Sequence, residues 1–151
     1  MGGTTALTYS LATRVDLLAM ARLLTHFLDD PLLSPWTPSN LQRTLSDPEQ
    51  NLCVARAGHT LVGIAAMRYG QRHAELRLLA VAPLWQRRGL GQGLLAWLEA
   101  PAELLGLAHS TVSCPLERSG YFSRRGFQPR FPESAGPDPI LFLRPLTRRS
   151  S

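Results

Sequence analysis

Sulfur is scarce in this chain of 151 residues, which contains two cysteines. Two cysteines cannot build a disulfide framework, and no zinc-ligand spacing is present. Long apolar runs are also missing, since none is long enough to span a bilayer. The N-terminus lacks a basic segment followed by a long apolar core. The sequence therefore argues against a disulfide-stapled, zinc-bound, secreted or membrane-spanning protein and favours a cytoplasmic location.

Acidic residues are fewer than basic ones, at 11 against 16, which gives a net charge of +5 and a pI near 10.2. Such a surplus is typical of proteins that bind nucleic acid or an anionic small ligand. The arginines are spread along the chain in pairs, at 87–88, 124–125 and 148–149, and form no long run. We therefore expect a solvated basic surface and an anionic ligand, with nucleic-acid binding as the alternative.

The composition is that of a folded domain, with 44% hydrophobic and 18% charged residues. A chain of this length suits one domain large enough to bury a core. We expect residues 1–151 to form a single domain with its core at about 5–146 and a frayed tail at 147–151.

The most informative stretch runs from His73 to Leu98. An apolar segment ends at Pro83, a basic, glycine-rich turn follows, and leucines then recur at helical spacing, at Leu90, Leu94 and Leu98. This pattern predicts a strand, a turn and a helix.

The turn has the features of an anion site. Gly89, Gly91 and Gly93 allow unusual dihedral angles and a close approach of a ligand to the backbone. The first amides of a helix lack intrahelical partners, and Arg87 and Arg88 add two positive charges. Neither the dinucleotide-binding glycine spacing nor the P-loop G-K-[ST] is present. The turn therefore predicts a phosphate or pyrophosphate ligand.

The segment Gln86-Arg87-Arg88-Gly89-Leu90-Gly91 fits the Q/R-x-x-G-x-G/A signature and resembles the GNAT N-acetyltransferase superfamily. The resemblance extends more loosely from about Thr8 to Phe127, where Arg124-Arg125-Gly126-Phe127 resembles the closing segment of the family. It implies an α/β (α+β) fold, with a mixed, mostly antiparallel central sheet of about six to seven strands and about four flanking helices.

The resemblance also implies acetyl-CoA as the cosubstrate, with no metal. The turn would bind the pyrophosphate, and the backbone of the preceding strand would pair with the pantetheine arm as if it were another strand. The N–H of Val81 would serve as the oxyanion donor. The residues expected to bind the cofactor are Leu79, Ala80, Val81, Gln86, Arg87, Arg88, Gly89, Leu90, Gly91, Gln92 and Gly93.

Patterning along the chain predicts strands at 5–11, 51–57, 60–69, 73–82, 109–114 and 140–143, with a tight hairpin at 58–59. Helices are expected from a capping box at Thr13 to about Phe27, from Thr37 to about Leu45, after the glycine turn, and from 116 to 125. Proline at 101 predicts a kink or break of the third helix near 99–100. The prolines between 129 and 139 predict a loop. The first helix should bury a stripe formed by Leu17, Ala21, Leu24 and Leu28.

Acetyl transfer to an amine needs a general base, and Glu75 is the best-placed carboxylate. The two-residue period of a strand places Glu75, Arg77, Leu79 and Val81 on one face. The histone acetyltransferase branch of the family carries its base glutamate at the same offset. The alternative is a surface glutamate paired with His73 or Arg77.

The other catalytic positions depart from the family. The predicted fifth strand, 109–114, has no carboxylate, whereas ribosomal-protein acetyltransferases carry one there, which counts against a close match to that branch. The position of the usual acid tyrosine holds Phe122, and Tyr121 precedes it. The asparagine that the family usually has in this region aligns with Pro115 in this chain. Either Tyr121 reaches the sulfur from a displaced helix, or the thiolate leaves unaided.

The family places the acceptor beside the first loop and second helix, which makes Trp36 a candidate for substrate contact or for packing at the core edge. We expect an N-acetyltransferase that acts on a primary amine of a small molecule, without a nucleic-acid or membrane partner. The alternatives are a catalytically degenerate acyl-CoA-binding module and a protein N-acetyltransferase. By analogy, the last strands could form a homodimer.

Overall fold

The computed structural model describes residues 6–130 and 140–146. Seven strands form one mixed sheet in the order β1-β2-β3-β4-β5-β7-β6. All neighbours are antiparallel except β4 and β5, which run parallel. The strands are β1 Leu7–Leu11, β2 Gln50–Ala57, β3 Thr60–Tyr69, β4 His73–Val81, β5 His109–Cys114, β6 Gln128–Pro129 and β7 Ile140–Pro145.

Helices cover both faces of the sheet and bury two apolar clusters. The α-helices are α1 Leu17–Leu24, α2 Pro38–Leu45, α3 Leu90–Leu104 and α4 Gly120–Ser123. Leucines of α3 pack on one face, against β2, β3 and β4. Residues of α1 and α2 pack on the other. The α+β class, the number of strands and the number of helices expected from the sequence are confirmed.

Most of the predicted strands and turns lie where the sequence places them. Gly58 has φ 62°, so glycine suits the hairpin that joins β2 to β3. The hydroxyl of Thr37 accepts a hydrogen bond from the N–H of Asn40 at 3.2 Å and caps α2. Gly106 adopts φ 75° and ends α3, as expected.

The predicted buried stripe of α1 is confirmed at Leu24 and, in part, at Leu17, but it is wrong at Leu28. The buried residues of this helix are Met20, Leu23 and Leu24, whereas Leu28 is 68% exposed. The segment begins with a 3-10 turn, Arg14–Asp16, and ends with another, Thr25–Phe27. A 3-10 turn has fewer residues per turn than an α-helix, so the apolar face does not keep one helical period across all three pieces.

The predicted break in α3 is also wrong, because the helix runs through Pro101 to Leu104. The helix interior around the proline is anchored by Leu94, Leu98 and Ala102, all of which are fully buried. In addition, the Tyr69 hydroxyl donates to the carbonyl of Leu98 at 2.6 Å. This carbonyl lies in the turn that a proline at 101 disturbs. The proline removes the backbone donor to the Trp97 carbonyl, so burial of this helix face, and not the Tyr69 bond, offsets that loss.

Two further expectations need correction near the C-terminus. The segment 116–125 is not one helix, since a 3-10 turn at Leu116–Arg118 precedes the single α-turn of α4. Pro129 lies in the short strand β6, which pairs with β7, and not in a loop. The rest of the predicted loop, 131–139, and the predicted tail lie outside the described residues. Within residues 6–130 and 140–146, no helix combines the length and apolar character that a membrane crossing requires.

Replacing Tyr69 by phenylalanine tests the side-chain hydrogen bond that ties β3 to α3. We expect Tyr69→Phe to lower the free energy of unfolding by about 1–2 kcal/mol, because the Leu98 carbonyl loses its side-chain donor. Urea denaturation measures this change. The matched control is Tyr9→Phe, since no hydrogen bond of the Tyr9 hydroxyl is found within the described residues and its removal should cost less. Equal losses in both variants would contradict this role of Tyr69.

Candidate active site

A β-bulge in β4 decides which way its side chains point. Across β3, Ala66 pairs with Leu78 and Met67 pairs with Leu76, so Arg77 has no partner of its own. An extra residue of this kind reverses the alternation of side chains along a strand. The expectation that Glu75 shares a face with Leu79 and Val81 is therefore wrong.

The packing on each side of the bulge confirms this reversal. Leu76 belongs to the cluster under α3, and Leu79 and Val81 pack against the same cluster. Leu78 and Ala80 belong to the cluster under α1. Glu75, the residue before Leu76, consequently points to the face that carries α1 and α2.

Beyond the bulge, β4 and β5 separate. Their parallel pairing covers His73–Leu76 against 109–112 and then stops, whereas β4 continues to pair with β3 as far as Val81. The edge of β4 that faces β5 is therefore without a strand partner from Arg77 to Val81. A cleft of about 480 Å³ occupies this gap. An open strand edge of this kind can accept an extended ligand as an added strand.

The glycine turn closes one end of the cleft. Gly89 is the N-cap of α3 with φ 82°, a value that favours glycine, and Arg87 holds φ 65°. The first intrahelical bond runs from the Gly93 N–H to the Gly89 carbonyl at 3.0 Å. The amides of Leu90, Gly91 and Gln92 precede that bond. They can converge on an anion, with the positive end of the helix dipole behind them.

Two glycines of the turn make room for tyrosines. A Cβ at Gly91 would overlap the hydroxyl of Tyr121 and lie 3.2 Å from its Cζ. A Cβ at Gly93 would overlap the hydroxyl of Tyr9, which projects from β1. Gly91 lines the cleft. The Gly93 amide is hydrogen-bonded within the helix, and the Tyr9 hydroxyl occupies the space that a side chain would need. Packing against Tyr9 therefore accounts for a glycine at this position.

The other predicted cofactor residues lie around the same turn. Gln86 donates from Nε2 to the Val81 carbonyl at 3.1 Å, which ties the turn to the end of β4. Arg87 lines the cleft. The Arg88 guanidinium stacks over Trp85 at 4.8 Å from the ring centroid. The predicted residues that line the cleft are Leu79, Ala80, Val81, Gln86, Arg87, Gly89, Leu90 and Gly91.

Tyr121 lies in the wall of the cleft, next to the buried Phe122. Its hydroxyl is buried and finds no hydrogen-bond partner in the part of the chain that the structure describes. Burial raises the pKa of Tyr121, although the Arg125 guanidinium, 3.6 Å from the ring centroid, opposes this shift. The phenol therefore keeps its proton at neutral pH and is available to donate it.

A second pocket, of about 400 Å³, lies between α2 and the bulged part of β4. Trp36 and Glu75, the two residues predicted for acceptor binding and proton removal, both line it. Glu75 is partly exposed and pairs with Arg77 at 3.1 Å, one of the pairings considered from the sequence. Asp47 lines the same pocket, and hydrogen bonds from Gln50 and the Glu49 N–H lower its pKa.

The pocket and the cleft meet where the two parallel strands separate. Leu76 and Arg77 of β4 and Ser113 of β5 line both of them. A group held in the pocket can therefore reach a group held in the cleft without crossing the sheet. Among the described residues, no group of three or more His, Cys, Asp or Glu side chains is placed to hold a metal ion.

Sequence reasoning missed an ion pair at the cleft. Arg118 donates two hydrogen bonds to the carboxylate of Asp30, at 2.9 and 2.7 Å, and the bond from Arg118 is the main reason that the pKa of Asp30 is lowered. The pair joins the segment after α1 to the segment before α4, and both residues line the cleft. The partners are 88 positions apart, so no local pattern could reveal them.

Comparison with known proteins agrees with this geometry. Residues 31–136 match the model of the acetyltransferase (GNAT) domain family. The chain is 32% identical over 125 residues to the N-alpha-acetyltransferase RimI of Mycobacterium tuberculosis, covering 73% of this chain and 75% of that protein. The chain therefore belongs to the GNAT acetyltransferase family. Membership confirms the predicted family, the acyltransferase class and acetyl-CoA as cosubstrate.

Solved structures share the fold. N-acetylglutamate synthase from Neisseria gonorrhoeae, complexed with coenzyme A and N-acetyl-glutamate, superposes with a TM-score of 0.79 at 24% identity, over 95% of this chain and 36% of that chain. The ribosomal-protein-S18-alanine N-acetyltransferase from Escherichia coli gives a TM-score of 0.76 at 19% identity, over 96% and 97% of the two chains. The similarity to RimI is closer than the missing carboxylate in β5 led us to expect.

The contact between Gly91 and Tyr121 yields a test of the cleft. Gly91→Ala should raise the Kd of coenzyme A about tenfold or more, because the new methyl group must displace either the start of α3 or Tyr121. Adding Tyr121→Phe should recover part of the affinity, since the overlapping hydroxyl is gone. Titration calorimetry measures both values.

The matched control is Gly120→Ala, where the nearest atom to a new Cβ is Arg124 Nη1 at 3.9 Å. This variant should bind coenzyme A like the wild type. Wild-type affinity in Gly91→Ala, or no recovery in the double variant, would contradict the placement of the cofactor against this turn.

Proposed function

We propose that this protein transfers an acetyl group from acetyl-CoA to a primary amine of a small molecule, by direct attack of the amine on the thioester. The observation that carries the proposal is the junction at Leu76, Arg77 and Ser113, where the pocket of Glu75 opens into the cleft. The two reactants can then meet from opposite sides of the separated strands. Proximity of this kind supplies a large part of the rate enhancement in group transfer.

The residues of the cleft fit coenzyme A. Amides at the start of α3, together with Arg87, hold the pyrophosphate, and the unpaired edge of β4 at Leu79–Val81 holds the pantetheine arm. Acetyl-CoA supplies the activated acetyl group as a thioester. The N–H of Val81 serves as the donor to the thioester oxygen.

Glu75 acts as the general base. It faces the acceptor pocket and is partly exposed, so it can take a proton from the amine directly or through a water molecule. Its pairing with Arg77 orients the carboxylate. Trp36, on the opposite wall, offers an apolar surface to the carbon chain of the acceptor.

Glu75→Gln should lower kcat by about a hundredfold or more, because the amide cannot accept the proton, while the Kd of coenzyme A stays unchanged. The control is Glu103→Gln, which removes a carboxylate from the last turn of α3. Thiol release from acetyl-CoA over a panel of small primary amines measures the rates. A kcat for Glu75→Gln within about threefold of the wild type would refute the role of Glu75 as the base.

Tyr121 acts as the general acid toward the departing thiolate. Its hydroxyl is buried in the cleft, keeps its proton, and makes no hydrogen bond to other described residues. Tyr121→Phe should therefore lower kcat by about tenfold without changing the Kd of coenzyme A. Tyr9→Phe is the matched control. An unchanged kcat in Tyr121→Phe would instead mean that the thiolate leaves unaided, the alternative that the sequence leaves open.

A protein N-terminal amine is the second candidate acceptor, favoured by the 32% identity to RimI. The same assay should therefore include short peptides with free N-termini. Acetylation of peptides and of no small amine would decide for this candidate. Tight binding of coenzyme A with no turnover on any amine would favour the degenerate binding module. A cytoplasmic location and a homodimer stay predictions.

A further inference from the structure

The acceptor pocket contains an arginine that forms no ion pair with the described residues. Arg43 of α2 lines the pocket, and no carboxylate within residues 6–130 and 140–146 lies at salt-bridge distance from it. Glu75 of the same pocket pairs with Arg77 at 3.1 Å, whereas Asp47 has no cation at salt-bridge distance among the described residues. Asp47 accepts hydrogen bonds from the Gln50 side chain at 2.8 Å and from the Glu49 N–H at 2.9 Å.

The Arg43 guanidinium is held in place by its neighbours. It donates to the side-chain carbonyl of Asn40, and the amide nitrogen of Asn40 donates to the carbonyl of Pro35. The Thr44 hydroxyl donates to the Asn40 carbonyl at 2.9 Å. All four residues line the pocket. A guanidinium uses up to five N–H donors, so one bond to Asn40 leaves donors available for a ligand.

The pocket has a carboxylate on one wall and both a guanidinium and a carboxylate, Asp47, at or just after α2. Glu75 lies on the β4 wall, next to the junction with the cleft, and Arg43 lies on the α2 wall. An acceptor whose amine approaches Glu75 therefore extends toward Arg43 along Trp36. A guanidinium binds a carboxylate through paired hydrogen bonds, which gives both affinity and orientation.

We infer that the acceptor carries a carboxylate as well as the amine, and that Arg43 binds this carboxylate and determines specificity. The inference rests on the proposed function and names its substrate class, an amino acid or a similar amino-carboxylate. The same chemistry could come from an acidic side chain next to the N-terminus of a peptide.

Pairs of acceptors that share the amine but differ in the carboxylate test the contribution of the carboxylate alone. One arm compares free α-amino acids with their carboxamides, and the other compares short peptides that have Asp or Asn at the second position. Thiol release from acetyl-CoA gives kcat/KM for each member. We expect the carboxylate-bearing member of a pair to be preferred by about tenfold, since a hydrogen-bonded ion pair is worth more than a neutral contact. The arm that shows the preference identifies the source.

The variant Arg43→Gln should abolish the preference, with kcat/KM of the carboxamides changed by less than about twofold. Arg43→Lys should restore part of it, since the charge returns without the paired geometry. The control is Arg22→Gln, which removes an exposed charge on α1, outside the pocket. Equal loss for both members of each pair, or a preference for the carboxamides in the wild type, would overturn the assignment.

A failure of the proposed acetyl transfer can be distinguished from a failure of the carboxylate assignment. If no amine is acetylated, calorimetry on the complex with coenzyme A still measures whether amino-carboxylates bind more tightly than their carboxamides and whether Arg43→Gln removes the difference. Binding with that difference supports the carboxylate site without a transfer reaction. No binding of any amino-carboxylate contradicts it.

Discussion

The geometry of the candidate active site is set by the point where two parallel strands stop pairing. Four residue pairs join β4 to β5, and the bulge at Arg77 marks the end of the contact. Because β3 continues to hold β4, the strand stays extended beyond that point while its other edge is open to a ligand. The bulge also places Glu75, the proposed base, on the α2 face, so the cleft begins at the same irregularity that turns this side chain into the second pocket.

Three tyrosine hydroxyl groups position helix α3. The hydroxyl of Tyr9 in β1 lies against Gly93, and that of Tyr121 in α4 lies against Gly91. The hydroxyl of Tyr69 in β3 donates to the Leu98 carbonyl. Burial raises the pKa of Tyr69 to about 12, so its donated hydrogen bond persists across the working pH range. These contacts fix the N-terminus of α3 at the end of the cleft, where its amides can meet a diphosphate.

Local sequence patterns predicted the features that depend on neighbouring residues. They could not predict the features that depend on contacts between residues far apart in the chain. Glycine spacing, apolar alternation and caps predicted the hairpin, the cofactor turn and α2, because each depends on neighbours in sequence. The bulge at Arg77 has no local signal, since it arises from pairing with β3. The bond from Tyr69 to the Leu98 carbonyl and the pair of Asp30 with Arg118 likewise join partners that are 29 and 88 positions apart.

The most direct test of the central claim is hydrogen exchange of individual backbone amides, measured by NMR with and without saturating coenzyme A. The claim predicts slower exchange at Val81 and at Leu90 and Gly91, where strand edge and helix terminus acquire a partner, and no change at the distant Gly58–His59 hairpin. Unchanged exchange at the strand edge and helix start, with protection confined to other parts of the molecule, would contradict it.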